Sequence, residues 1–300
     1  MAGTSDANVL TREYYDSILL KTRYIDSDLG NTGIELFGKH FDTPICTAAL
    51  SHLNGTHERG MVCLAEGAKN AGAVNFCGME SYEGEIDDIM TAGASTIRII
   101  KPHAEDADVL SRIEHAKELG VFAMGMDIDH AYRNNGGYDD VYGLKMKPKS
   151  KAQLAEYVRA AEGTPFIVKG ILSIEDAAKC AEIGVAGIVV SHHHGIMPYS
   201  VPPVMVLPDI AKEVGGSLKI FVDCGIESGM DVYKALALGG DAVCVGRALM
   251  GPLKENGAEG VTRKIGEMTA ELSVIMGRTG FAKVSDIDAS ALCRMRTVYE

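Results

Sequence analysis

Apolar residues fall along this chain in short unbroken runs rather than in alternation. The runs are PICTAAL (44–50), AVNFCG (73–78), TIRIIKP (96–102), VFAMGMDI (121–128), FIVKG (166–170), GIVVS (187–191), IFVDCG (220–225) and AVCVGR (242–247). Runs of this length bounded by turn residues read as strands buried on both faces, as in a parallel sheet covered by helices. Between them the period lengthens to that of helices over 57–72, 106–120, 174–184, 203–215 and 229–240, several of which close on a glycine suited to a helix C-cap. Strict alternation of strand and helix implies parallel pairing, and eight such units predict a closed α/β structure, the (β/α)8 TIM barrel. A doubly wound sheet is the rival, but no G-x-G-x-x-G follows the first run. Residues 1–300 are read as one barrel domain, with about 1–40 as an N-terminal helical extension. The charged stretch KMKPKSKAQ (145–153) is read as a solvated loop, a candidate lid, between the fourth and fifth strands.

In such a barrel the active site gathers at the C-terminal ends of the strands. There the sequence sets Ser51 and His52, Cys77 and Gly78, Lys101 and His103, Asp127 and Asp129, Lys169, Ser191 with three histidines, Asp223 with Gly225, and Gly246 with Arg247. The last two ends, VDCGIESGMDV and VGRALMG, suit a phosphate, because glycines admit backbone N–H groups and Arg247 supplies a charged donor.

Composition narrows the partners. Acidic residues outnumber basic ones 41 to 29 and no lysine or arginine run forms a stripe, which argues against nucleic acid. No uncharged stretch approaches the roughly 18 residues of a membrane span, and the polar N-terminus lacks a signal pattern. Seven scattered cysteines without C-x-x-C fit a reducing cytoplasm, where they serve as small core residues. His40, His57 and His115 read as turn or surface residues.

The stretch SHHHGI (191–196) raises the sharpest question: a metal site, a base with two bystanders, or a polar loop. Together with FIVKGI, DVYKALALGGDAVCVGRALM, ELSVIMGRTGFAKVSDI, TREYYDSILLKTRYI, TPICTAAL, IRIIKP and MGMDID, it gives nearly the whole chain a resemblance to a known family. The chain resembles the FMN-dependent α-hydroxyacid oxidases and dehydrogenases, the glycolate and lactate oxidases among them.

The resemblance implies FMN as cofactor, a small-molecule substrate and a homo-oligomer, commonly a tetramer. It sets Lys169 near the flavin N1 and O2 edge, where a cation stabilises the reduced flavin. Asp223, Gly225, Gly246 and Arg247 fall on ribityl and phosphate positions, Ala48, Ala49, Leu50 and Gly78 on backbone lining the ring, and Ser191 on a flavin contact. Lys101 stands for a glutamine, Asp127 for a threonine near the flavin pyrimidine, and Glu227 for an arginine at the phosphate, where a carboxylate either points away or weakens binding. Laid on the family's S-N-H-G-x-R, His193 becomes the general base and Asp129 the carboxylate that orients it. The arginine of that signature, which grips the substrate carboxylate, is Ile196, and a family tyrosine becomes His103. Arg133 lies near another family arginine, and His194 and Met197 join His103, Arg133 and Ile196 in the expected substrate pocket.

The function expected is therefore oxidation of a hydroxylated small molecule, other than a simple 2-hydroxy acid, by hydride transfer to FMN. Three other readings stay open: a metal site built from His192 or His194 with His103, His52 or an aspartate, a non-redox FMN isomerase, and a flavin-binding protein without catalysis.

Overall fold

A computed structural model describes residues 4–82 and 84–294. Eight parallel strands form the central sheet: β1 (Ile45–Thr47), β2 (Asn75–Cys77), β3 (Thr96–Ile100), β4 (Ala123–Asp127), β5 (Phe166–Ile171), β6 (Gly187–Val190), β7 (Lys219–Val222) and β8 (Ala242–Val245). Neighbours in sequence are neighbours in space, and β8 pairs with β1. The remaining seam is bridged where Thr47 N–H donates to the Val74 carbonyl at 3.0 Å and Leu50 pairs with Cys77. Each strand expected from its apolar run is present, in a closed barrel.

Helices occupy the connections: α2 (Gly60–Asn70), α3 (Glu85–Thr91), α4 (Asp106–Glu118), α5 (Lys151–Ala160), α6 (Ile174–Glu182), α7 (Pro203–Val214), α8 (Gly229–Ala237) and α9 (Arg247–Thr279), following α1 (Ala7–Ser17). The stretch expected as loop to residue 153 turns helical at Lys151, where a capping box between Ser150 and Gln153 starts α5. Two apolar layers result: one between strands and helices, and one inside the barrel built from Cys46, Ala48, Val74, Phe76, Ile97, Ile99, Ala123, Ile167, Val189, Phe221, Ala242 and Cys244.

The expected helical extension is corrected. Among its described residues only Ala7–Ser17 is helical; Ile18–Leu20 is a strand paired antiparallel with Leu292–Arg294, and Ile34–Leu36 pairs with Lys39–Phe41 as a hairpin. Its two-residue turn, Phe37 and Gly38, has φ of 47° and 79°, the double positive φ that suits right-twisted hairpins. The Phe37 ring packs 5.8 Å from that of Phe122 and 6.4 Å from that of Phe221. Phe41 meets Phe122 at 5.4 Å, and Phe76 meets Phe221 at 5.3 Å, both edge-on. Aromatic burial against the hairpin closes the N-terminal mouth of the barrel and offsets the cost of a non-glycine residue at positive φ.

Candidate active site

Strand geometry selects the site. Side chains alternate across a strand, so each inward apolar residue is followed two positions later by another inward one. Ile99 leads to Lys101, Ala123 and Gly125 to Asp127, Ile167 to Lys169, Val189 to Ser191, Phe221 to Asp223, and Cys244 to Gly246. The apolar plug thus passes into a polar layer at the C-terminal mouth. Register sets Lys169 of β5 beside Asp127 of β4.

Within that layer the contacts are short. Lys101 Nζ donates to Asp127 Oδ2 at 2.7 Å and Lys169 Nζ donates to Asp127 Oδ1 at 3.1 Å, all three residues being buried. His193 Nδ1 lies 2.8 Å from Asp129 Oδ1 and 3.3 Å from Asp127 Oδ1. Lys169 Nζ also stands 3.3 Å from His193 Nδ1. A nitrogen that donates to Asp129 cannot accept from lysine, and the carboxylate contact is the shorter. The network therefore assigns the Nδ1–H tautomer and leaves the Nε2 lone pair for an incoming proton.

Backbone strain serves this geometry. His193 has φ of 47°, and its amide donates to Ser191 Oγ at 3.0 Å, which pins the turn. Gly170, with φ of 98°, follows Lys169, and a Cβ there would lie 2.7 Å from Asp129 Cγ. Only glycine lets the aspartate come so close to β5.

Electrostatics follow from burial. Desolvation opposes charge on His193 most strongly, but the Asp127 carboxylate and the Asp129 hydrogen bond together hold the pKa above the ordinary 6.5. Burial, then the Asp127 charge, raises Asp129. Burial likewise works against the Asp127 carboxylate, yet Lys169 and Lys101 keep it ionised well below the usual range. Asp129 Oδ2 is buried without a hydrogen-bond partner.

Beside this cluster opens a cavity of about 320 Å³ lined by Ala48, Ala49, Leu50, Lys169, His193, His194, Asp223, Gly225, Gly246 and Arg247, all expected from the sequence. Cys224, Ile226, Cys244 and Met250 line it too and were not anticipated; Glu227 borders it but is exposed. Gly78, Lys101 and His103 line a smaller neighbouring cavity instead. His103 is buried, accepts from Arg112 Nε at 3.0 Å through Nε2, and is lowered to about 4 by burial and the Arg112 charge. Arg133 Nε stands 3.7 Å from Asp139 Oδ1, and Met197 is exposed.

The other two histidines face the N-terminal helix. His192 Nε2 meets Thr11 Oγ1 at 2.8 Å, and His194 Nδ1–H donates to Asn8 Oδ1 at 2.8 Å. Arg247 Nη2 donates to the same Asn8 oxygen at 3.1 Å. Helix α1 thus lies over the ends of β6 to β8, a role no local pattern in its sequence announces. His130, also not anticipated, has its ring 5.2 Å from that of His193 and its Nδ1 2.7 Å from Asp139 Oδ2, off the hydrogen-bonding direction. Among the described residues, the groups close enough together to share a metal are Asp127, Asp129 and His193, not the three histidines. An ion there would compete with two lysines already on Asp127.

The sequence profile of the FMN-dependent dehydrogenases matches residues 2–159 and 145–294. The chain is similar to a 2-hydroxyacid oxidase of Dictyostelium discoideum, 26% identical over 91% of this chain and 79% of that one. It is 36% identical to an L-lactate dehydrogenase of Xanthomonas oryzae pv. oryzae over 65% of this chain, a match spanning only 53% of that relative. Among solved structures it is similar to mandelate oxidase with a monooxide FMN adduct, with TM-score 0.87, 28% identity and coverage of 98% and 93% of the two chains. An arginine-to-leucine variant of mandelate oxidase with 2-hydroxy-phenylacetamide gives TM-score 0.87 at 28% identity over 99% and 91%.

The cavity fits FMN. Its wall at Ala48, Ala49 and Leu50 is apolar, Lys169 stands at its inner end and Arg247 at its outer one. At Gly246 an added Cβ would enter that space 3.3 Å from Ala48 Cβ, so the glycine keeps the cradle open. With eight parallel strands carrying this cradle, and a profile match that runs along almost the whole chain, the protein belongs to the FMN-dependent dehydrogenase family and is an FMN-using oxidoreductase of the α-hydroxyacid oxidase group.

Proposed function

We propose that the enzyme oxidises a hydroxylated small molecule whose reacting carbon bears an uncharged group, with His193 as base, Asp129 behind it and Lys169 at the flavin. The observation that carries this is the 2.8 Å His193–Asp129 contact next to Lys169, in a loop where Ile196 stands at the arginine position.

The chemistry FMN supplies when bound is acceptance of a hydride with gain of negative charge. His193 Nε2 takes the substrate hydroxyl proton as the C–H pair leaves as hydride, and the carbinol becomes a carbonyl. With neutral His193, the charges of Lys101, Lys169, Asp127 and Asp129 cancel. On taking the proton the cluster becomes positive by one, opposite to the charge gained by the flavin, so Asp129 and Lys169 stabilise the same charge-separated state.

Loss of a bidentate arginine removes the strongest grip on a carboxylate. Arg133 is partly engaged with Asp139, and His103 is held neutral, so neither offers a free equivalent. The surrounding rim exposes Tyr132, Tyr138, Tyr142, Met197 and Tyr199, with Tyr132 tilted against Tyr138 at 6.0 Å and Tyr142 edge-on to His52 at 5.2 Å. That surface suits an apolar or aryl body. The amide bound by the arginine-to-leucine mandelate oxidase variant has the same chemistry, a hydroxyl next to an uncharged acyl group.

The test is anaerobic bleaching of the FMN-loaded enzyme by paired compounds: lactate and mandelate against their amides and esters. Bleaching by the uncharged members, lost by about 10²-fold or more in His193→Asn with FMN still bound, is expected. Rapid bleaching by lactate at micromolar concentration overturns the substrate reading, and unchanged bleaching in His193→Asn overturns the assignment of the base.

A further inference from the structure

Asp127 helps raise the pKa of His193, yet its hydrogen bonds to two buried lysines give it a second effect. It is buried, it accepts from Lys101 Nζ at 2.7 Å on one oxygen, and on the other from Lys169 Nζ at 3.1 Å. Asp129, not Asp127, makes the nearer contact to His193, 2.8 Å against 3.3 Å, so orienting the base does not require it.

Its effect is on the charge that Lys169 presents. In a buried setting a carboxylate at 3.1 Å cancels much of the ammonium's field beyond the pair. It also fixes the ammonium's direction, since one of the three N–H bonds is committed to Oδ1. Lys101 shares the same carboxylate from the opposite side, so the three groups behave as one unit with a single positive charge, not as two free cations.

We infer that Asp127 is a positioning residue that acts through Lys169, screening and aiming the ammonium so that bound FMN takes electrons less strongly than an unpaired lysine would make it. The inference rests on the reading that Lys169 faces the flavin N1 and O2 edge. A flavin poised in this way passes electrons onward readily and is reduced efficiently only by a strongly reducing hydroxyl compound.

The experiment reads the flavin itself. Sulfite adds to oxidised FMN and leaves negative charge on the ring, so its dissociation constant reports the same field as the two-electron potential. Both are measured on FMN-loaded wild type, Asp127→Asn, the double variant Lys101→Gln/Asp127→Thr, and Lys169→Met. The double variant removes the ion pair as a unit, which covers the case in which Asp127→Asn leaves two unpaired lysines and fails to fold. Expected is sulfite binding about tenfold tighter or more in Asp127→Asn, with a rise in potential of about 30 mV per tenfold, a smaller tightening of more than about twofold in the double variant, where the net charge is unchanged but the Lys169 ammonium is unpaired, and weaker sulfite binding in Lys169→Met. Values within about twofold of wild type in both Asp127 variants, with Lys169→Met still weakened, overturn the inference alone. If Lys169→Met also leaves sulfite binding unchanged, the placement of Lys169 at the flavin falls, and the inference with it.

Discussion

At the scale of single residues, the reaction is governed by whether Nε2 of His193 is free of a proton while Asp129 holds Nδ1–H. A base must be neutral to act, and here the Asp127 and Asp129 carboxylates favour the charged imidazole against the opposing effect of burial, so the pKa in the folded state exceeds 6.5. Activity is therefore lost as pH falls through that raised value, and the acid limb of kcat/KM lies above pH 6.5. Removing the Asp129 charge in Asp129→Asn takes away one source of the upward shift. Its acid limb moves to lower pH while the plateau rate drops about tenfold or more, because the tautomer is no longer enforced; a pH profile that does not move shows Asp129 to be uninvolved. Gly170 offers a second handle that leaves every titratable group in place. An alanine there brings Cβ to 2.7 Å from Asp129 Cγ at a φ of 98°, so the carboxylate must retreat from His193. The expected result for Gly170→Ala is a profile shifted in the same direction as Asp129→Asn, with FMN absorbance retained; a wild-type profile would mean that the aspartate finds another route to the imidazole.

At the scale of elements, legibility depended on whether a signal was local. Each barrel strand stood out because a strand covered on both faces must be apolar throughout its length, and the polar residues ending it were then fixed by alternation alone. The Lys101, Asp127 and Lys169 cluster was readable residue by residue, but not as a cluster, because the three come from different strands and meet only through register. Helix α1 was the larger miss. Its contacts to the site run from Asn8 and Thr11 to His192, His194 and Arg247, more than 180 positions away, and nothing in its own periodicity records them. The hairpin at 34–41 escaped for a related reason: Phe-Gly is a poor turn signal, and Phe37 is held at positive φ by distant aromatic rings. The docking of α1 has a testable anchor. Arg12 Nη2 donates to buried Asp231 at 2.8 Å, and that carboxylate also receives the Glu227 amide and the Ser228 hydroxyl. Because the guanidinium is about one-third exposed, Arg12→Ala is expected to cost about 1–2 kcal/mol, less than a fully buried pair. Limited proteolysis should cut within residues 4–33 faster in the variant, and equal cleavage rates would show that α1 is held by its apolar face instead.

At the scale of the whole molecule, the barrel separates its two obligations along the strand axis. Apolar and aromatic residues close the N-terminal mouth and carry packing energy, while glycine, lysine and aspartate at the other mouth accept strain and burial of charge. The described part has no helix long and apolar enough to cross a membrane, and all seven cysteines are free, so packing within the barrel rather than an intrachain disulfide holds this arrangement. The separation predicts that stability and cofactor binding vary independently when the base is altered. Phe41 is the residue for this test, since its ring is buried in the hairpin against Phe122, at the end of the barrel opposite the cavity lined by Arg247 and Lys169. Truncation in Phe41→Ala removes a large buried ring and leaves a void, and is expected to cost about 3–5 kcal/mol in thermal or denaturant unfolding. FMN, binding the folded state alone, should add about 2.7 kcal/mol at a free concentration of a hundred times Kd. Sites with no shared partners add, so that increment, and the FMN Kd from flavin fluorescence quenching, should be the same in wild type and variant even though the variant unfolds sooner. A Kd that weakens in step with stability would show instead that the aromatic base and the flavin cradle are one cooperative unit, coupled along the strands they share.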